Sequence, residues 1–154
     1  MLATRTATTI LIIDDTRAIR EELASYVSAS GHRALQADSG AEGLRLLREH
    51  RPALVLLDVV MPAMDGFKVA QAIKAEVRGF TPIILLTART DFETRRRGHL
   101  AGADDFLIKP VNPDELALRI IYGSWLRRSK ALNIYGALRA LLAYKPRPVR
   151  LAWE

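Results

Sequence analysis

Leu54-Val55-Leu56-Leu57 is an unbroken apolar run that ends on a carboxylate, Asp58, and gives way to Met61-Pro62 and Asp65-Gly66. Bulky apolar residues in succession, bounded by turn signals, describe a strand covered on both faces. That is the situation of a parallel sheet with helices on either side. In open α/β sheets, ligands bind in the crevice outside the carboxyl ends of the strands. Asp58 therefore stands where such a fold does its chemistry. Taken alone, a carboxylate there can do no more than end the strand.

The same pattern recurs along the chain. Thr9-Ile10-Leu11-Ile12-Ile13 reads as a buried strand and ends in Asp14-Asp15. A helix follows, with Thr16 as its expected cap, Ile19, Leu23, Tyr26 and Val27 at helical spacing, and Gly31 as its stop. His32 to Asp38 is a weaker strand, interrupted by Arg33 and Gln36. Ser39 caps a second helix whose apolar face is Ala41, Leu44 and Leu47. Gly66 to Val77 is a third helix. Ile83-Ile84-Leu85-Leu86 is another apolar strand, ending in Thr87. Phe92 to Leu100 is a short, highly charged fourth helix, and Asp105 to Ile108 a fifth strand ending in Lys109-Pro110. Asn112-Pro113-Asp114-Glu115 opens a fifth helix, with Asn as cap, Pro at the first position and acids in the first turn. Five strands alternating with five helices predict an α/β, doubly wound parallel sheet built from right-handed βαβ units.

All carboxyl ends of a parallel sheet lie on one edge. Asp14, Asp15, Asp58, Thr87 and Lys109 should therefore converge although they are far apart in sequence. Three crowded carboxylates resist full ionisation, and a hard divalent cation relieves them. Mg²⁺ takes oxygen ligands and is commonly held by one or two carboxylates with phosphate oxygens. The absence of His and Cys from these positions disfavours zinc. Lys109 offers a compact positive charge to a phosphoryl oxygen, and Thr87 a hydroxyl. A carboxylate can attack phosphorus and form an aspartyl-phosphate, a transfer that needs positioning and charge neutralisation above all. No Gly-rich phosphate loop is present, so the phosphoryl group would not come from a nucleotide held by this chain.

Together Ile12-Ile13-Asp14-Asp15, Leu57 to Gly66, Leu86-Thr87-Ala88, Gly102-Ala103-Asp104-Asp105-Phe106 and Lys109-Pro110 resemble the receiver domain of two-component response regulators, chemotaxis-regulator-like, over roughly residues 8–122. The resemblance implies a flavodoxin-like (βα)5 fold with strand order 2-1-3-4-5. It implies Asp58 as phosphoacceptor, Asp15 as a direct Mg²⁺ ligand, Asp14 as a ligand mainly through water, and the backbone carbonyl of Val60 as a further ligand. Lys109 would pair with the phosphoryl group, and the Lys109–Pro110 peptide bond would be cis. Thr87 and Phe106 would form a switch pair: Thr87 moves toward the phosphate and Phe106 turns inward. Phe106 stands where the family often has Tyr. Val60 and Arg89 would flank the phosphoryl group. An apolar Val60 offers nothing to orient water, so slow loss of phosphate is expected. The donor would be a phosphohistidine on a sensor histidine kinase or phosphotransfer protein. The chain would be no enzyme beyond assisting its own phosphotransfer and dephosphorylation. Its output face would be the fourth helix, fifth strand and fifth helix, where Arg95, Arg96 and Arg97 lie.

Charge divides the chain. The net charge is −1 over residues 1–118 and +7 over residues 119–154, together the overall +6. The expected organisation is a receiver over 1–124 and a basic, partly helical C-terminal extension or linker over 125–154. Its apolar residues recur at nearly helical spacing from Ala131 to Tyr144, before an extended Lys145-Pro146-Arg147-Pro148. The tail is too short for a winged or three-helix DNA-binding domain, so DNA binding by this chain is not expected. Its apolar stripe could pack on the receiver, on a partner, or on a second copy, so that a homodimer through the output face or the tail stands as one alternative. There is no cysteine and no apolar run near the ~20 residues of a membrane span, so a cytoplasmic protein without membrane contact is expected. Three functions are in view: a single-domain receiver that docks or dimerises, the receiver part of a larger transcription factor or signalling enzyme cut after its linker, and a Mg²⁺-dependent aspartyl-phosphate phosphatase. The last needs an acid/base two residues past the nucleophile, where this chain has Val60.

Overall fold

A computed structural model describes residues 7–77 and 79–132, with side chains up to Arg128. The elements run β1 (Thr9–Ile13), α1 (Arg17–Ala29), β2 (Arg33–Ala37), α2 (Gly40–His50), β3 (Leu54–Asp58), α3 (Gly66–Glu76), β4 (Ile83–Thr87), α4 (Phe92–Leu100), β5 (Asp105–Ile108) and α5 (Pro113–Leu132). The strands form one parallel sheet in the order β2-β1-β3-β4-β5. The expected flavodoxin-like doubly wound fold is the observed one. The poorly patterned β2 and the short β5 are the edge strands, and the three apolar runs are the interior.

Successive strand residues point to opposite faces, and both faces are apolar. Leu11, Ile13, Val55, Leu57, Ile83 and Leu85 pack with α2 and α3. Ile10, Ile12, Leu54, Leu56, Ile84 and Leu86 pack with Leu23 and Val27 of α1 and Leu116 and Ile120 of α5. Each fully buried Ile or Leu contributes roughly 1.5–3 kcal/mol, so this double core holds the strand ends in register.

Helix starts follow the expected chemistry with one exception. Ser39 Oγ accepts from Glu42 N, Asp65 Oδ1 from Lys68 N, Asp91 Oδ2 from Thr94 N, and Asn112 Oδ1 from both Asp114 N and Glu115 N. Thr16 holds the cap position of α1, but its side chain makes no cap bond. Its backbone N–H donates instead to Asp14 Oδ1 at 2.9 Å. That bond fixes the loop ahead of the helix and does not replace the missing cap. At the other end α5 continues unbroken through residues 124 and 125 to Leu132. Beyond residue 132, the expected helical and extended segments lie outside the described residues. Among the described residues, no helix is long and apolar enough to cross a membrane.

Candidate functional site

Strand alternation decides which tip residues meet. Ile10 and Ile12 face α1 and α5, and the same alternation carries on to Asp14. Leu54 and Leu56 lead likewise to Asp58, and Leu107 to Lys109. All three side chains therefore rise on one face of the sheet at its carboxyl edge. There the Lys109 ammonium donates to Asp14 Oδ2 and to Asp58 Oδ1, each at 2.9 Å. The Lys109–Pro110 bond is cis. Asp14 is 0% and Asp58 5% exposed, whereas Asp15, in the loop past β1, is exposed. One carboxylate oxygen from each of Asp14, Asp15 and Asp58 falls within 4.8 Å of the others.

The electrostatics of this cluster are those of a site under tension. Burial pushes the Asp58 carboxyl above its ordinary 3.8, against the Lys109 hydrogen bond, and the neighbouring Asp14 charge adds to the rise. Burial alone would depress the Lys109 ammonium, but its bonds to Asp14 and Asp58 and their charges outweigh it and hold Lys109 above 10.5. A second hard cation beside Lys109 would relieve the remaining repulsion. The oxygen-only donor set, with one exposed member open to solvent, fits Mg²⁺.

Two backbone features hold Asp58 in place. Gly66 N donates to Val59 O at 2.8 Å, and a Cβ on Gly66 would overlap the Asp58 carbonyl oxygen. The start of α3 thus lies directly on the strand tip, an approach open only to glycine. Arg20 Nη1 donates to the Asp14 carbonyl oxygen at 2.8 Å. The sequence marks Gly66 as a turn signal and the start of a helix but not as a close approach, and nothing in the surroundings of Arg20 marks that residue. Val60 N reaches Asp58 Oδ1 at 3.4 Å, and the Val60 side chain is 76% exposed at the mouth.

Thr87 stands apart from this group. It continues the alternation of Ile83 and Leu85, which face α2 and α3, and so belongs to the opposite face of the sheet. Its buried hydroxyl accepts from Arg89 N at 3.0 Å and donates to Arg89 O at 3.3 Å. Phe106 pairs with Leu85 across β4 and β5 and packs on the same face. Thr87 and Phe106 are thus diagonal neighbours. Asp14, Asp15, Asp58 and Lys109 form one cluster, and Thr87 and Phe106 a second one beside it.

Comparison with known proteins identifies the family. The chain is 46% identical over 111 residues to the transcriptional regulatory protein AfsQ1 of Streptomyces coelicolor, covering 72% of this chain and 48% of that protein. It is 37% identical over 125 residues to the transcriptional regulatory protein SrrA of Staphylococcus aureus, covering 81% and 50%. It thus spans about half the length of these curated relatives. The chemotaxis response regulator CheY4 of Vibrio cholerae superposes with a TM-score of 0.73 at 31% identity, covering 77% of this chain and 99% of that one. The beryllofluoride-activated DrrB receiver domain superposes with a TM-score of 0.70 at 30% identity, covering 77% and 97%. The family model described as the response regulator receiver domain matches residues 10–121. A match running from β1 into α5, with relatives at this level of identity, places the chain in the response regulator receiver domain family.

Proposed function

We propose that Asp58 takes a phosphoryl group from a phosphohistidine on a sensor histidine kinase or phosphotransfer protein. An Asp58 carboxylate oxygen attacks phosphorus, the phosphorus–nitrogen bond breaks, and the imidazole leaves with its electron pair and takes up a proton. Lys109 holds the acceptor oxygen and then pairs with the new phosphoryl charge. Bound at Asp14, Asp15, Asp58 and the Val60 carbonyl, Mg²⁺ would supply neutralising charge for the phosphoryl oxygens. Thr87 and Phe106 carry the result to the face of α4, β5 and α5, which controls a partner protein or dimerisation. The receiver is the part over 1–124 and acts in the cytoplasm; it catalyses nothing but its own phosphorylation and hydrolysis. The observation that carries this reading is the Lys109 ammonium bridging two buried carboxylates, with a third within reach.

A second reading sets the same receiver within a larger transcriptional regulator. The names of AfsQ1 and SrrA favour it. Both readings share one test of the acceptor: incubation with a small phosphoramidate donor and Mg²⁺, read by intact mass. One phosphoryl addition is expected, base-labile and absent in Asp58→Asn. Addition to the Asp58→Asn variant, or none to the wild type, overturns the proposal. Sedimentation with and without beryllofluoride then separates dimerisation from monomeric docking.

A further inference from the structure

The helix α4 lies on the body of the protein through very little. Thr94 and Gly98, one turn apart, are its buried residues, and every other residue of the helix is exposed. The Thr94 hydroxyl is committed to Asp91 at the cap. The remaining inward position is a glycine, the least favourable residue for a helix interior after proline. What lies beneath it explains the choice. A Cβ on Gly98 would stand 2.7 Å from Cε1 and Cζ of Phe106 and 2.7 Å from Cδ1 of Leu85. The Phe106 ring fills the place a side chain would take. The same residue ties the helix end down, since Ala103 N donates to Gly98 O at 3.0 Å. The Arg97 guanidinium lies 4.4 Å over the Phe67 ring and steadies the neighbouring position on α3.

We infer that Gly98 is a positioning residue of the switch: its missing side chain is the inward seat of the Phe106 ring, and through that seat the ring sets how α4 lies on the sheet. The inference rests on the proposed phosphorylation of Asp58 for its link to signal, but not for the seat itself. An aromatic ring is stiff and Leu85 is fully buried on an interior strand, so a methyl at Gly98 has two outlets. Either the ring turns outward or α4 lifts. Each removes the inward state that phosphorylation is to favour. A ligand that binds with one of two states loses affinity when that state is made costly.

Two measurements on the full chain test this. The first is a double-mutant cycle in urea with Gly98→Ala, Phe106→Leu and the pair. Leucine has no atoms at the Cε1 and Cζ positions. Gly98→Ala should lower the folding equilibrium constant by about tenfold or more with Phe106 present, and by clearly less in the Phe106→Leu background, where alanine's helix propensity helps. Equal losses in both backgrounds overturn the seat. The second is beryllofluoride affinity at fixed Mg²⁺. Gly98→Ala should weaken it about fivefold or more, with Mg²⁺ affinity unchanged, and Phe106→Leu should restore part of the loss. Wild-type affinity in Gly98→Ala overturns the switch role, and so does a weakening that Phe106→Leu leaves undiminished. A wild type that binds no beryllofluoride overturns the Asp58 reading and the switch role with it; the cycle still decides the seat.

Discussion

Lys109→Met removes one charge and keeps most of the side chain's length and volume. In the wild type the ammonium is bonded at 2.9 Å to both Asp14 and Asp58, with Lys109 20% exposed and Asp14 fully buried. Taking it away leaves two buried carboxylates facing each other without a cation. Breaking a buried ion pair by deleting one partner costs roughly 3–5 kcal/mol, which is two to four orders of magnitude in the folding equilibrium and a large share of the ~5–15 kcal/mol of a typical domain. The variant should fold and be marginal. Urea unfolding at low salt, with chelator, measures the loss. Two controls identify its source. Asp58→Asn in the Lys109→Met background should recover at least ~1 kcal/mol, because it takes out one of the two stranded charges. Saturating Mg²⁺ should stabilise Lys109→Met by more than it stabilises the wild type, by mass action of a cation on a site that has lost its own; at a hundred times the dissociation constant that is about 2.7 kcal/mol. A loss below ~1 kcal/mol with no coupling to Asp58 would mean that the ammonium is an incidental contact and that the carboxylates are kept apart by something else.

Gly66→Ala should cost about 3 kcal/mol or more, because the new methyl meets Asp58 and Val59 backbone atoms that cannot move aside; beryllofluoride affinity should fall with it, and unfolding curves that match the wild type would contradict the close approach. Asp105 is held above its ordinary 3.8 by burial, against its bond from Phe106 N and the Arg119 guanidinium. A raised carboxyl gives stability that is complete below the unfolded-state value and is lost as pH rises through the folded-state value. Asp105→Asn should therefore flatten the decline in stability with pH just above 3.8, seen as a smaller change in urea midpoint between acid and neutral pH; an unaltered profile would refute it. Val60→Asn places a polar group at the exposed mouth beside Asp58 and should shorten the aspartyl-phosphate lifetime by about tenfold, ~1.4 kcal/mol off the hydrolysis barrier, measured by decay of the phosphorylated mass; an equal lifetime removes water positioning as the cause of slow loss.

Backbone periodicity made the fold legible. Runs such as Ile10–Ile13, Leu54–Leu57 and Ile83–Leu86 can only be interior strands, and the broken pattern of Arg33–Ala37 put β2 at an edge. The acidic and amine residues of the site were legible for the same reason, since a parallel sheet fixes which ends come together. Side-chain traffic within a loop was not legible. Thr16 looks like a cap in any sequence, yet its side chain makes no cap bond and its N–H goes to the buried Asp14 carboxylate. Arg20 carries no signal at all, because it reaches a backbone carbonyl. Gly66 reads as a turn and a helix start, and Gly98 draws no reading; both are close approaches, visible only once the neighbour across the gap is known.

The parity of the strands also divides into two groups what a list of tip residues merges. Asp14, Asp58 and Lys109 continue the rows that face α1 and α5, whereas Thr87 continues the row that faces α2 and α3, in line with Leu85 and beside Phe106. On the proposed reading, a phosphoryl group on Asp58 changes charge on one face while α4 lies over the other. The sheet between them is closely packed and cannot bend to relay a local charge. Thr87 is the tip hydroxyl on the α4 side, and its partner is the Arg89 backbone rather than any carboxylate. Its bonds to Arg89 are neutral ones, each worth about 0.5–1.5 kcal/mol, and a charge-assisted bond to a phosphoryl oxygen is roughly twice as strong. Redirecting only its O–H from the Arg89 carbonyl to a phosphoryl oxygen trades one neutral bond for one charge-assisted bond, which favours the phosphate once it is present and the Arg89 backbone when it is not. On the proposed reading, that hydroxyl, with an aromatic ring and a glycine next in line, would carry the change across the sheet edge to α4.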